Sequence, residues 1–69
     1  MFRMIKIHCE KKAKGFMIWF ENKYDLKTSR ETFKDEEEAK ESSKDLMKLM
    51  KQSEYVFEYS NGTPEVIRL

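Results

Sequence analysis

The one histidine and the one cysteine of this 69-residue chain are neighbours, His8 and Cys9. A thiol beside an imidazole is the pairing that nucleophilic catalysis uses, provided that the base reaches the nucleophile. Residues 2–9 alternate as a β-strand does, however, and neighbouring residues of a strand point to opposite faces of a sheet. The pattern therefore indicates a surface histidine beside a buried, apolar cysteine rather than a catalytic pair.

Other residue types that carry chemistry are present without the spacing that the chemistry needs. The carboxylates at residues 35–38 have neither a histidine nor a glycine-containing loop among them, so they lack the pattern of a calcium or magnesium site. Gly15 and Gly62 are the only glycines, and neither stands in a phosphate-binding motif. One cysteine forms no internal disulfide, and no Cys/His cluster is available for zinc. We expect no enzyme, no metal site and no cofactor.

Charge is balanced over the whole chain but not along it. Fourteen Lys and Arg stand against 13 Asp and Glu, a net charge of +1, whereas a strong positive excess is typical of nucleic-acid binders. Residues 1–30 hold eight basic and three acidic side chains, a net +5, and residues 31–69 hold six and ten, a net −4. Trp19 would supply a stacking surface for a base. The candidate nucleic-acid contacts are basic residues of the first half: Arg3, Lys6, Lys12, Lys14, Lys27 and Arg30.

Three strands are predicted in the first half of the chain. Residues 2–9 alternate so that Ile5 and Ile7 face a core. Residues 24–28 also alternate apolar and polar side chains, and this third strand continues towards residue 33. The second strand, residues 15–21, is apolar on both faces: Phe16, Ile18 and Phe20 on one, Met17 and Trp19 on the other.

A helix is predicted from Asp35 to residue 52 or 53. Asp35 with Glu38 three residues later fits a capping box, and acidic residues in a first turn are favoured by the helix dipole. The small and apolar residues of one face recur at steps of three and four: Ala39, Ser42, Ser43, Leu46, Leu49 and Met50.

The last residues of the chain are predicted to form a β-hairpin. Residues 55–59 are dense in strand formers, and Asn61-Gly62 is the preferred two-residue type I′ turn. In this register Pro64 costs no hydrogen bond, because it stands in a non-hydrogen-bonded pair. A turn centred there gives five pairs: Ser60 with Thr63, Tyr59 with Pro64, Glu58 with Glu65, Phe57 with Val66, and Val56 with Ile67.

These elements predict one domain, residues 1–69, of the α+β class with the order β-β-β-α-β-β. A mostly antiparallel sheet carries one helix packed on one face. The expected contacts of that face join Phe16, Ile18, Phe20, Leu26, Phe57 and Val66 of the sheet to Ala39, Leu46, Leu49 and Met50 of the helix.

The helix-free face of the sheet is the candidate binding surface, with Met17, Trp19, Val56 and Ile67 as its expected apolar residues. A sheet face that is open to water is normally polar. Exposed Trp, Met and aliphatic side chains together are typical of an interface. We predict a non-catalytic binding module that self-associates or binds a protein partner through this face. The alternative is DNA or RNA binding by the basic first half.

Composition also bears on location. The longest apolar run, residues 16–20, is five residues long, against the roughly 20 that a membrane-spanning helix needs. Arg3 and Lys6 interrupt the apolar block that a secretory signal would require. A single thiol suits a reducing compartment. We expect a cytoplasmic protein of bacterial or phage origin, because abundant Lys, Glu, Ile, Met and Phe is compatible with an AT-rich genome.

Two family resemblances rest on residues 15–20, 32–39, 46–51, 55–57 and 61–62. The chain resembles a family of small bacterial and phage domains with a Trp-bearing strand, a second strand, a helix that opens with Thr and acidic residues, and a closing hairpin. That resemblance covers residues 15–69 and implies a fold without an established activity. Over residues 15–45 the chain is also similar to the arm-type DNA-binding domain of tyrosine integrases, which implies a three-stranded sheet in the major groove. The acidic helix and the C-terminal hairpin depart from that second pattern.

Overall fold

The computed structural model describes residues 4–21, 27–29 and 32–69, and of residues 21 and 27–29 it describes the backbone. The elements are β1 Lys6–Lys12, β2 Gly15–Glu21, β3 Lys27–Ser29, α1 Glu36–Leu49, β4 Glu54–Glu58 and β5 Pro64–Arg68. They form one five-stranded sheet in the order β3-β2-β1-β4-β5. Among the described strands, only β1 and β4 pair in parallel. The predicted α+β class, the element order and the mostly antiparallel sheet are confirmed.

The first hairpin is longer and tighter than the sequence predicts. Residues 10–12 belong to β1, and the connection shrinks to a two-residue turn before Gly15. Gly15 has φ +140°, and a Cβ there would lie 2.2 Å from the carbonyl oxygen of Phe33. Phe33 forms an isolated antiparallel bridge with Phe16. Only Gly allows this close approach of two backbones.

The third strand is shorter than predicted. It consists of Lys27–Ser29, and its residues pair with the end of β2. Residues 24–26 of the prediction lie outside the described residues, and the expected core position of Leu26 lies there with them.

Helix α1 begins as the sequence predicts. The N-cap residue Asp35 accepts a hydrogen bond from the backbone N–H of Glu38 at 2.9 Å. The helix ends about three residues early, because Lys51 adopts the left-handed conformation with φ 59° and Gln52 N–H donates to the Met47 carbonyl at 3.0 Å. A left-handed residue after the last turn ends a helix by satisfying its free carbonyls.

The buried stripe of α1 differs in part from the prediction. Ala39, Ser43 and Met47, at steps of four, are buried, and α1 packs on β1, β2 and β4. Leu46 packs against this core and Met50 stays exposed. Leu49 was expected in the core and is 78% exposed. The sequence pattern extended the stripe past the point where the helix stops, and it missed Met47.

The C-terminal hairpin turns through three residues instead of two. Tyr59 carbonyl accepts from Gly62 N–H and Tyr59 N–H donates to the Thr63 carbonyl, both at 2.8 Å, and Gly62 has φ +91°. This is a tight turn followed by a residue with positive φ, the usual three-residue hairpin loop. The predicted type I′ turn is wrong, and every pair in the hairpin moves by one residue.

A shift of one residue exchanges the two faces of β5. The pairs are Tyr55 with Ile67, Val56 with Val66, Phe57 with Glu65, and Glu58 with Pro64. Ile67 was expected on the helix-free face and is instead 5% exposed in the core, whereas Val66 was expected in the core and is 54% exposed. Pro64 still costs no ladder bond, because its pair with Glu58 is also of the non-hydrogen-bonded kind.

The core lies between α1 and the covered sheet face. The buried apolar residues are Ile7, Cys9, Ile18, Phe20, Ala39, Met47, Tyr55, Phe57 and Ile67. Ser43 is the buried polar residue, and its hydroxyl shares a 2.5 Å hydrogen bond with the Tyr55 hydroxyl. Among the described residues, no buried side-chain N or O atom lacks a partner.

Candidate functional site

The centre of the helix-free face is a stacked pair of rings. Register places His8 of β1 directly opposite Trp19 of β2. The two rings are nearly parallel, with centroids 4.2 Å apart and 18° between their planes. Both side chains are half-buried. Cys9 lies on the opposite face and is buried, so the predicted separation of the imidazole from the thiol is confirmed.

Each ring is held by a carboxylate. His8 Nδ1 lies 2.9 Å from Glu58 Oε1, and Trp19 Nε1–H donates to Glu10 Oε1 at 2.8 Å. The hydrogen bond from His8, followed by that from Lys6, lowers the pKa of the Glu58 carboxyl from its ordinary value of 4.5. These contacts restrain the orientation of both rings.

Charges on this face occur as pairs of opposite sign. Lys6 Nζ lies 3.1 Å from Glu58, Lys12 Nζ lies 3.1 Å from Glu10, and Arg68 Nε lies 3.8 Å from Glu54. Three cations are therefore balanced by three carboxylates on the described strands. The sequence predicted neither Glu10 nor Glu58 as part of this surface; the alternation of β1 and β4 with His8 and Val56 is the signal that places them.

The apolar part of the face consists of Met17, Val56 and Val66. Register sets Val56 between Lys6 of β1 and Val66 of β5. Met17 and Val56 are half-buried. Of the four residues predicted for this surface, the structure brings Met17, Trp19 and Val56 together on one face. It replaces Ile67 with Val66, for the reason of register given above.

The candidate nucleic-acid contacts are not all brought together on one surface by the described residues. Lys6 and Lys12 stand on the helix-free face, each paired with a carboxylate. Lys14 is exposed in the turn between β1 and β2, and Lys27 pairs through its backbone with β2. Arg3 and Arg30 lie outside the described residues.

A second polar cluster joins the helix to the last hairpin. Lys40 Nζ lies 3.1 Å from both the Tyr59 hydroxyl and the Glu65 carboxylate, and the Tyr59 hydroxyl donates to Glu65. The hydrogen bond from Tyr59 and that from Lys40 lower the pKa of Glu65. The predicted contact between Glu58 and Glu65 is wrong, because the register shift places them on opposite faces of the sheet. Each carboxylate has its own cation, Lys6 and Lys40 respectively.

The environment of Cys9 suppresses the reactivity of its thiol. Burial, with the nearby Glu36 carboxylate as the next cause, raises the pKa of the Cys9 thiol to about 12, so the thiol is neutral and a poor nucleophile near pH 7. In the part of the chain that the structure describes, no three His, Cys, Asp or Glu side chains are grouped so as to hold a metal ion. No helix among the described residues has the length and apolar character that crossing a membrane requires.

Comparison of the chain with family models, with curated proteins and with solved structures found no match.

Proposed function

We propose that this domain is a non-catalytic, cytoplasmic binding module that self-associates through its helix-free sheet face. The observation that carries the proposal is the stacked His8–Trp19 pair at the centre of that face. A half-buried tryptophan held rigidly beside aliphatic side chains is the composition found at the energetic centre of protein interfaces.

The aliphatic side chains extend the surface away from the rings. Val66 is 54% exposed beside Val56, and Met17 lies two residues from Trp19 on the same face of β2. Exposed apolar area that water would otherwise surround favours association by about 25 cal/mol for each Å² removed. The stacked rings would fix the geometry of the contact, and these aliphatic side chains would add apolar area that association removes from water.

A second copy of this chain fits the surface because the charges are self-complementary. Lys6–Glu58 and Lys12–Glu10 lie on the two sides of the ring pair. Lys6 and Glu10 stand two residues to either side of His8 on β1, so a two-fold axis that crosses β1 at His8 would set Lys6 of each copy opposite Glu10 of the other, and an isologous interface needs such self-complementarity. The described charges of the face sum to zero, so repulsion between two copies is small.

DNA or RNA is the second candidate partner, proposed through Arg3, Lys6, Lys12, Lys14, Lys27 and Arg30. The basic first half, with its net +5, favours it. The pairing of Lys6 and Lys12 with carboxylates weakens it, because a phosphate would have to replace an existing ion pair.

Sedimentation equilibrium of the purified protein, from micromolar to millimolar concentration, tests the proposal. We expect a reversible dimer or larger assembly that Trp19→Ala weakens at least about thirtyfold, since truncating a central interface aromatic typically costs 2 kcal/mol or more. Leu49→Ala is the matched control, because it removes an exposed apolar side chain from the other side of the molecule. Circular dichroism verifies that both variants are folded. A wild type that stays monomeric, or equal effects of the two variants, would contradict self-association through this face.

Fluorescence anisotropy with random duplex DNA and single-stranded RNA tests the second candidate. The measurement is made at about 50 mM salt, where phosphate contacts are strongest. Binding that Lys14→Gln and Lys12→Gln weaken, with a linear loss of affinity against the logarithm of salt concentration, would support nucleic acid. No change in anisotropy would remove it.

A further inference from the structure

The two edges of the sheet are unequal. At one edge, β3 has three residues. At the other edge, β5 has five residues, pairs with β4 on one side and has no strand on its other side among the described residues. A short edge strand limits pairing with another chain, whereas a longer one with free backbone groups promotes it.

Hydrogen bonds at both ends of the last hairpin define which residues of β5 direct their backbone N–H and C=O groups towards β4. Tyr59 N–H donates to the Thr63 carbonyl at 2.8 Å, and Leu69 N–H donates to the Ser53 carbonyl at 2.9 Å. In an antiparallel ladder such pairs alternate with pairs whose N–H and C=O groups point away from each other. The odd-numbered residues of β5 therefore bond to β4, and its even-numbered residues do not.

The backbone hydrogen bonds of Val56 in β4 show the same alternation. Its N–H donates to the Ile5 carbonyl beside β1 at 2.9 Å, so its polar groups point away from its partner Val66. The polar groups of Val66 must then point out of the sheet at its edge, and those of Pro64 and Arg68 share that direction. The edge presents two N–H donors, at residues 66 and 68, and three carbonyl acceptors.

We infer that β5 pairs antiparallel with β5 of a second copy, in a register centred on Val66. In this register the Val66 N–H of each copy donates to the Val66 carbonyl of the other. The Arg68 N–H of each copy donates to the Pro64 carbonyl of the other. Four main-chain hydrogen bonds then join two five-stranded sheets into one of ten strands.

The position of the proline is what makes a second copy the fitting occupant. Pro64 has no N–H, so a partner strand must place no needed acceptor opposite it. In the register centred on Val66, Pro64 stands opposite Arg68 at the end of the strand, where the carbonyl of Arg68 stays open to water. All four N–H donors of the two edges are satisfied, and all five residues of each strand lie within the pairing.

This contact goes beyond the proposed function and does not depend on it. Edge pairing uses backbone groups in the plane of the sheet, whereas the helix-free face uses side chains above it. Together the two contacts would give a tetramer: two ten-stranded sheets stacked through their helix-free faces, with the helices outside. Either contact alone gives a dimer.

A proline substitution separates backbone pairing from side-chain packing. Val66→Pro removes the central edge donor and costs no hydrogen bond to β4, because the N–H of residue 66 points away from β4. Val66→Ala is the matched control, since it removes the same side chain and keeps the N–H. Arg68→Pro, which removes the other edge donor, serves as a second variant if Val66→Pro does not fold by circular dichroism.

Sedimentation equilibrium of these variants gives the test. We expect Val66→Pro, or Arg68→Pro in its place, to dissociate at least about tenfold more readily than Val66→Ala, since two interchain hydrogen bonds are lost. Amide hydrogen exchange followed by NMR should show the Val66 and Arg68 N–H groups becoming protected as the concentration of the wild type rises. Equal dissociation of the proline variant and Val66→Ala, or exchange of these amides that does not depend on concentration, would overturn the inference. A dimer lost with Trp19→Ala and kept with Val66→Pro would overturn it while supporting contact through the face.

Discussion

The two faces of the sheet use different physics on the same strands. On the helix-covered face, Ile7, Ile18 and Phe57 are buried against α1, and water is excluded. On the helix-free face, His8 and Trp19 follow Ile7 and Ile18 in the chain. Their half-buried rings stack, and each ring forms a hydrogen bond with a glutamate carboxylate. One face stabilises the fold by removing apolar area from water, and the other keeps a prearranged surface that water still reaches.

Polar groups follow the same division. The covered face contains the Ser43–Tyr55 hydroxyl pair at 2.5 Å, which is dry and satisfied. The helix-free face carries ion pairs such as Lys6–Glu58, which are partly exposed and contribute little to stability. Stability is therefore expected to respond to changes on the first face, and binding to changes on the second.

The sharpest test of the division compares thiols on adjacent residues. At neutral pH, native Cys9 should react with a disulfide reagent at least about a thousandfold more slowly than a thiol placed by His8→Cys in a Cys9→Ser background. The pKa of Cys9 is raised from 9.0 to about 12, and each unit removes a factor of ten in thiolate. Stopped-flow absorbance measures both rates.

Unfolding supplies the control for this comparison. In concentrated denaturant the two thiols should react at similar rates, because both are then exposed. Comparable rates in the native protein would break the distinction between the faces.

The next effect concerns stability. Ile7→Ala on the covered face should lower the free energy of unfolding by about 2–5 kcal/mol. Val66→Ala on the helix-free face should change it by no more than about 0.5 kcal/mol. Urea unfolding at a concentration where the protein is monomeric measures both; if Ile7→Ala does not fold, Ile7→Val should still cost about 0.5–1.5 kcal/mol. Similar costs at the two positions would mean that both faces are buried in the monomer.

The smallest effect is a pH dependence that both faces share. Glu58 and Glu65 have pKa values lowered from 4.5 by their hydrogen bonds to His8 and Tyr59 respectively. A lowered pKa in the folded state gives stability that is present above pH 4.5 and is lost as the pH falls through the lowered value. Thermal unfolding between pH 7 and 3 should show this decline, and Glu58→Gln and Glu65→Gln should each reduce it.

Asp45→Asn is the control for the acid decline. Asp45 is an exposed carboxylate of α1 with no ion pair among the described residues. The Asp45→Asn variant should leave the slope of unfolding free energy against pH close to that of the wild type. A decline that none of the glutamate variants reduces would place its cause elsewhere.

Local chemistry determined much of this protein directly from its sequence. Asp35 begins the helix because its side chain caps the first turn. Strand β2 presents apolar side chains on both faces of the sheet, because its consecutive residues 16–20 are all apolar. The α+β class followed from those patterns, and so did the placement of Met17, Trp19 and Val56 on one face. Neighbouring residues in the chain are enough to specify such features.

Tertiary structure decided the rest. One extra residue in the loop before Thr63 exchanged Ile67 for Val66, and the left-handed Lys51 stopped α1 before Leu49 could reach the core. The carboxylates that hold the ring pair come from β1 and β4, strands separated by most of the chain. Hairpin register and helix length depend on how whole elements pack, because burial of one face outweighs a local turn preference. Sequence alone therefore determined which residues could lie on the helix-free face, and packing determined which of them do.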